Sequence, residues 1–429
     1  VTLSAMIVLL LLLLIIGVPI GFTFALAGLL GAWMADLPFG MIASMPYYAV
    51  ASFPLLAIPF FILAGELMNR GKLIDKLIDL IEVFLSWLPG RLGHVTLLSS
   101  AFLGAMTGSS IATVAAMSSS VGPRMIDKGY KRGYVAALTG CSGLLGVLIP
   151  PSIPLIVYGA AVGASVSNLF LATIVPGIMM ALIYMIVHWL SIPTVLTNEE
   201  AGKMERKSSF DKDLFKKAPL LTLKSLPAAL LPVIILGGIY SGITTPTEAA
   251  AIAGVYALLV IVLGRLVSVY KIPNIFYQAS LISISIMVII AFASIFNRVM
   301  TLMQVPQTIA NFTTTITENP LLFLIFVNLV LFLVGMFMET NAAVLLMAPL
   351  LYPSAMNFGI DPIHFGIILV TNIQIGLITP PMAANIFVSA RINKSSLVEM
   401  WPYIVRFLIP SIIGLIIITY VPALTLWWQ

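Results

Sequence analysis

Ionisable side chains are scarce. Only 9% of the 429 residues are Asp, Glu, Lys or Arg, against about a quarter in soluble domains. That scarcity excludes a soluble chain of two or three domains, as well as a disordered or fibrous one. Cys141 is the one cysteine, which rules out a disulfide framework and any cysteine-clustered metal site. Three histidines, His94, His188 and His364, leave little for zinc or haem. No HExxH, Walker A or other ATP-binding fingerprint occurs, so work by the chain would be driven by an ion gradient. What is plentiful is apolar: 60% of the residues, at a mean hydropathy of +1.11. One apolar run after another can cross a hydrocarbon core of ~30 Å. The class is an all-α polytopic membrane protein in a lipid bilayer. Its net charge of +5 then reads as the Lys and Arg of loops on one side, and no nucleic-acid partner is expected.

Residues 2–16 look like the apolar part of a signal peptide but have no basic flank or small-residue cleavage site, and read as a retained first helix. Apolar segments follow at 20–34, 52–69, 93–121, 134–159 and 168–192. Residues 72–88 place Leu73, Ile74, Leu77, Ile78, Ile81 and Phe84 opposite Lys72, Asp75, Lys76, Asp79 and Glu82, an amphipathic helix expected to lie in the interface. The stretch 196–224 holds 12 of the charged residues and reads as a solvated linker between two membrane halves. The second half runs through 225–241, 247–263, an interfacial stretch near 266–278, 279–297, 321–353, 363–390 and 403–427.

The halves repeat each other. A shift of 230 positions, without gaps, carries Met106 onto Met336, Pro123 onto Pro353 and Gly129 onto Gly359; Gly146, Pro150 and Pro151 fall on Gly376, Pro380 and Pro381. If 93–121 and 321–353 are re-entrant hairpins, each half has five crossings and the halves are inverted. Twenty of the 21 Lys and Arg residues then share one side, and Arg298 alone lies opposite. This is the positive-inside bias of an inverted pair, and it places both termini outside.

Inverted repeats with interrupted helices are the architecture of secondary transporters, whose ligands bind where unwound backbone lines a midplane cavity. Four interruptions fit. The first hairpin tip is Met106-Thr107-Gly108-Ser109-Ser110, with Thr113 one turn on; its hydroxyls and free carbonyls suit a small hard cation such as Na⁺. The second tip, Met338-Glu339-Thr340-Asn341, offers a hydroxyl, an amide and an acid deep in an apolar run. The alternative is that small hydroxyl residues only let helices approach closely. The breaks Gly146-Val-Leu-Ile149-Pro150-Pro151-Ser152 and Gly376-Leu-Ile-Thr379-Pro380-Pro381 should each end one half-helix and start another. The new amino termini, with Ser152 and Asn385 just inside, would seat a carboxylate; simple proline kinks are the alternative. Asn372 and Gln374 either line the cavity or bond between helices. Gly140-Cys141-Ser142-Gly143 fits a string found around intramembrane serine nucleophiles, but needs a histidine within reach, from His188 or His364.

The string Gly242-Ile-Thr-Thr-Pro-Thr-Glu-Ala-Ala-Ala251, the Gly-Val-Pro-Ile-Gly at 17–21, the paired Pro-Pro breaks and the two tips resemble the large membrane subunit of tripartite ATP-independent periplasmic (TRAP) transporters, over essentially the whole chain. The resemblance implies an ion-transporter-superfamily elevator fold and no enzyme activity. Its first repeat would span 1–195 (scaffold 1–70, arm helix 71–90, hairpin and broken helix 91–160, closing helix 168–192). The second would span 225–429 (scaffold 225–263, arm helix 266–278, scaffold helix 279–297, hairpin and broken helix 320–390, closing helix 403–427). It implies Na⁺-coupled import of an organic acid, sialic acid or C4-dicarboxylate, across the bacterial inner membrane, with a periplasmic binding protein and a separate four-helix membrane subunit. A stand-alone carrier is the rival reading. Carried over by position, one Na⁺ site joins Gly108, Ser109 and Ser110 with Gly146 and Ile149, and the other joins Thr340 and Asn341 with Gly376 and Thr379. The substrate would lie near Thr113, Pro151, Ser152, Glu339, Pro381 and Asn385.

Overall fold

A computed structural model describes residues 2–196 and 218–429; most of the charged linker lies outside them. The described residues are helical throughout apart from short connections and one isolated bridge between Tyr130 and Leu196. Among the described residues seven helices are long and apolar enough to cross a membrane, and the pair Arg132–Leu148 and Ile153–Val162, bent by 44°, adds an eighth if counted as one span. Large apolar side chains such as Leu182, Trp189, Leu223 and Leu263 stand exposed on these helices, as lipid-facing residues do.

Helix limits follow the punctuation of the chain. Glycine 17 and Pro19 separate Thr2–Ile16 from Ile20–Met34. The helix Pro246–Leu263 starts in a capping box, where the Thr245 hydroxyl accepts from the Glu248 N–H and the Glu248 carboxylate accepts from the Thr245 N–H (2.8 Å). The amphipathic helix Leu73–Phe84 buries Leu73, Ile74, Leu77, Ile78 and Ile81 against protein, chiefly the helix Ala218–Tyr240, rather than against lipid.

Each half contains a hairpin and a broken helix. The first hairpin is Arg91–Thr107 and Ser110–Ser120; the second is Pro320–Phe337 and Thr340–Asn357. The first broken helix is Arg132–Ser142 with Leu145–Leu148, resuming at Ile153–Val162. The second is Pro362–Gly376, resuming at Ala384–Asn393. Val166–Val195 and Leu397–Tyr420 close the halves, packed against each other.

Three elements differ from the sequence reading. Phe39–Val50 is a helix despite Pro46 inside it. Residues 266–278 are not a separate arm. After a single 3₁₀ turn, Ile272–Leu302 runs unbroken for 31 residues, because no proline or glycine follows Pro273 to interrupt it. The first half breaks at the matching place, where Ser52 and Pro54 force a 3₁₀ turn between Phe39–Val50 and Ala57–Arg70. The true counterpart of Leu73–Phe84 is Val305–Ile316. Each follows a non-glycine residue in the left-handed region, Lys72 (φ 53°) and Gln304 (φ 56°), 232 positions apart.

Candidate functional site

The two hairpin tips meet. Gly108, Ser109 and Ser110 from the first, and Glu339, Thr340 and Asn341 from the second, line one small cavity of about 40 Å³, with Gln374 beside them. Six residues that the sequence assigned to two separate ion and substrate roles thus share one space.

The first tip is built from its backbone outward. Thr107 ends the incoming helix, and Gly108 (φ 60°) turns the chain in the left-handed region that glycine adopts without strain. Ser109 caps the outgoing helix, its hydroxyl accepting from the Ala112 N–H, and the Thr113 hydroxyl donates back to the Ser109 carbonyl (2.8 Å). The Ile153 N–H, where the broken helix resumes, donates to the Gly108 carbonyl (3.3 Å). A Cβ on Gly108 would lie 2.9 Å from the Pro151 carbonyl oxygen, so Pro151 sits directly behind the tip.

The second tip repeats the plan with other chemistry. Glu339 is the N-cap: its carboxylate accepts from the N–H groups of Asn341 (2.9 Å) and Ala342 (3.2 Å) and from the Asn341 side chain (2.9 Å). This satisfies the free donors of a helix start and complements its dipole. The Gln374 amide donates to the Thr340 hydroxyl (2.9 Å). The Met382 N–H donates to the Met336 carbonyl (3.0 Å), so here too the chain after the Pro-Pro break bonds back to the hairpin.

Behind each tip, hairpin and broken helix touch through glycine. A Cβ on Gly104 would lie 2.6 Å from the Gly146 Cα, and one on Gly376 would lie 2.5 Å from the Gly335 carbonyl carbon. Gly146 and Gly376 therefore serve first as crossing points for backbones. Ile149 packs against Gly177 of the closing helix, and the Thr379 hydroxyl donates to the Ile375 carbonyl (3.0 Å). Pro381 is exposed, unlike its buried counterpart Pro151.

Several buried polar atoms at the tips have no protein partner: the Asn341 Oδ1, the Gln374 Oε1, the Ser152 hydroxyl, and both amide atoms of Asn385. Asn385 is brought to the first tip, since a Cβ on Gly143 would sit 2.8 Å from its Nδ2 and 3.1 Å from the Ser110 carbonyl. Native interiors leave few such atoms unsatisfied, and the free amide and hydroxyl oxygens among them are hard donors, unlike the thiolate and imidazole sets that hold zinc or copper.

Asn372 instead bonds between helices, its amide donating to the Asn328 side chain (2.7 Å) and carbonyl (2.9 Å). Sequence reading missed Gly335 and Asn328, which gain meaning only from residues some forty positions away. The serine-protease string assembles no dyad. The Ser142 hydroxyl donates to the Thr139 carbonyl (2.8 Å), while His188 is held by the Tyr134 hydroxyl (2.6 Å) and the Gly90 carbonyl (2.8 Å).

A second cavity of about 500 Å³ continues from the tips, where Thr107, Ser109, Glu339 and Asn341 border it, to Glu66, Asn69 and Ile74 beside the first amphipathic helix.

The fold is that of a known transporter. The crystal structure of the Alcanivorax borkumensis YdaH transporter superposes with a TM-score of 0.59 at 15% identity, over 90% of this chain and 88% of that one. The C4-dicarboxylate TRAP transporter large permease protein DctM of Pseudomonas aeruginosa is 39% identical over 86% of this chain and 84% of its own. The sialic acid TRAP transporter large permease protein SiaM of Vibrio cholerae is 32% identical over 86% and 84%. The isethionate TRAP transporter permease protein DctMQ of Oleidesulfovibrio alaskensis is 36% identical over 97% of this chain, which spans 64% of that protein's length. The family model described as "Tripartite ATP-independent periplasmic transporter, DctM component" matches residues 7–424. The chain belongs to that family of TRAP transporter large permeases.

Proposed function

We propose that the chain imports an organic acid of the C4-dicarboxylate or sialic acid class across the bacterial inner membrane, coupled to Na⁺. It would act as the transport subunit of a system that also holds a periplasmic binding protein and a small membrane subunit. The observation that carries this reading is the meeting of the two tips around unpartnered oxygens. A space of about 40 Å³ holds a particle the size of one water or ion, and the unpartnered amide oxygens of Asn341 and Gln374 on its wall are left to coordinate it. Relatives named for C4-dicarboxylate and sialic acid support the acid class.

The hairpins and broken helices would move together as an elevator against a scaffold formed by the remaining long helices. In this reading the 500 Å³ cavity is the open inner half of the path, because it ends beside Arg70 and Lys72, on the side that holds the basic loops. Both chain ends would face the periplasm.

Reconstitution into vesicles tests the whole. Labelled succinate and N-acetylneuraminate would be offered with and without an inward Na⁺ gradient, binding protein and small subunit. Uptake that requires all three supports the reading. Uptake that needs no Na⁺ refutes the coupling, and uptake by this chain alone refutes the tripartite assignment.

A further inference from the structure

A third cavity, of about 290 Å³, lies between the long helix Ile272–Leu302, the outer end of the first broken helix and the second hairpin. It mirrors the 500 Å³ cavity. Gly65, Glu66 and Asn69 border the larger one; Asn297, Arg298 and Thr301, each 232 positions later, border the smaller. That interval equals the spacing of the turns at Lys72 and Gln304. The two cavities are therefore the same groove in the two repeats, one on each side of the tips.

Their charges differ in sign. Glu66 lies 3.7 Å from Arg70, in an ion pair along its own helix. Arg298 has no ion pair among the described residues. Its Nε is buried without a partner, its Nη2 reaches only the Met41 sulfur (3.8 Å), and no carboxylate borders its cavity. Leaving a guanidinium half-buried and unpaired is costly, and such a group binds carboxylates through two parallel hydrogen bonds. Beside it, the Asn297 amide donates to the Leu345 carbonyl of the second hairpin (2.9 Å). Leu345 stands five residues beyond Thr340, or ~7.5 Å along a helix. A displacement of that size, toward the side away from the basic loops, would bring the second tip level with Arg298.

We infer that Arg298 is the outer binding group for the carboxylate of the transported anion, meeting it when the tips stand at the outer cavity. This rests on the organic-acid reading above. Glu66, at the matching inner position, faces the anion with like charge where it leaves.

The test separates the two ideas. Cysteine replaces Thr301 in the full complex in intact cells; native Cys141 is buried and stays unreactive. Impermeant methanethiosulfonates carrying either a sulfonate or a trimethylammonium group are applied from outside. The sulfonate reagent should be favoured, and Arg298→Gln should lower the sulfonate-to-ammonium rate ratio about tenfold. In uptake, Arg298→Gln should raise half-saturating substrate about tenfold with the maximal rate kept, and Arg298→Lys should restore part of the loss. A ratio that Arg298→Gln leaves unchanged, or a cysteine reached only from inside, overturns the inference. Ala160→Cys, on the facing wall, serves if Thr301→Cys does not express. If the reagents behave as expected while no organic acid is imported by the unmodified system, the substrate reading fails and the anion site stands.

Discussion

Adding one methyl group at Gly376 is a sharp perturbation of the second tip. Its Cβ would lie 2.5 Å from the carbonyl carbon of Gly335, 2.6 Å from its Cα and 2.9 Å from the Met336 nitrogen. All three are backbone atoms, so no side chain can rotate away. Ordinary contact requires the hairpin and the broken helix to separate by about 1 Å, and overpacking of this kind costs roughly 1–3 kcal/mol. The Met382–Met336 bond spans the same gap and would stretch with it, as would the Gln374–Thr340 contact. A displacement of ~1 Å in a positioned site costs on the order of a hundredfold in function. Gly376→Ala should therefore lower the thermal midpoint of the detergent-solubilised protein by a few degrees and raise the Na⁺ concentration for half-maximal uptake at least tenfold. Gly237→Ala is the control, since nothing lies within 4 Å of a Cβ there and alanine favours a helix. Equal midpoints and equal Na⁺ activation for the two variants would refute the view that close backbone contact sets the tip.

Ser110→Ala and Asn341→Ala should each weaken Na⁺ activation of uptake with a smaller effect on folding yield; unchanged activation in both would remove the tips from the ion path. Gln374→Leu removes the donor to Thr340 and should cost about 1 kcal/mol of stability together with Na⁺ affinity, read from thermal shifts at graded Na⁺. Thr245→Ala deletes the cap of Pro246–Leu263 and should cost about 1 kcal/mol while leaving half-saturating Na⁺ in place, so a changed Na⁺ profile would show that this turn does more than cap. Ser142→Ala should transport normally, because its hydroxyl only returns to the Thr139 carbonyl.

The parts of this fold that could be read from the sequence were those written in glycine and proline. The Gly-Pro-Pro breaks and the short polar tips stand out in a chain that is 60% apolar, and their spacing reveals the repeat without any contact being known. Phe39–Val50 is not legible as a helix in the sequence, where Gly40 and Pro46 stand inside it, although the helix tolerates both. Val305–Ile316 was missed for another reason. Its Thr and Ile residues have weak helix propensity, and packing against the second hairpin holds it in place. The resemblance implies a separate arm at 266–278, but no proline or glycine after Pro273 ends the helix there, and it runs on to Leu302. At the site, Ser110, Thr340 and Asn341 could be named from residue type and register. That both tips border one cavity could not, since it depends on contacts between halves more than 200 residues apart in sequence.

The mirrored grooves also bear on energetics. In the elevator reading proposed above, the chain needs two end states of comparable free energy, or it would rest in one of them. A chain made of two copies of one plan meets this condition by construction: exchanging the roles of the copies turns one end state into something close to the other. What remains of the difference comes from places where the copies differ. The unbroken Ile272–Leu302 stands where the other half is split at Ser52 and Pro54, and Arg298 stands where the other half has Glu66. Substitutions that make the halves more alike at such positions should shift the resting balance between the end states, even where they touch neither ion nor substrate.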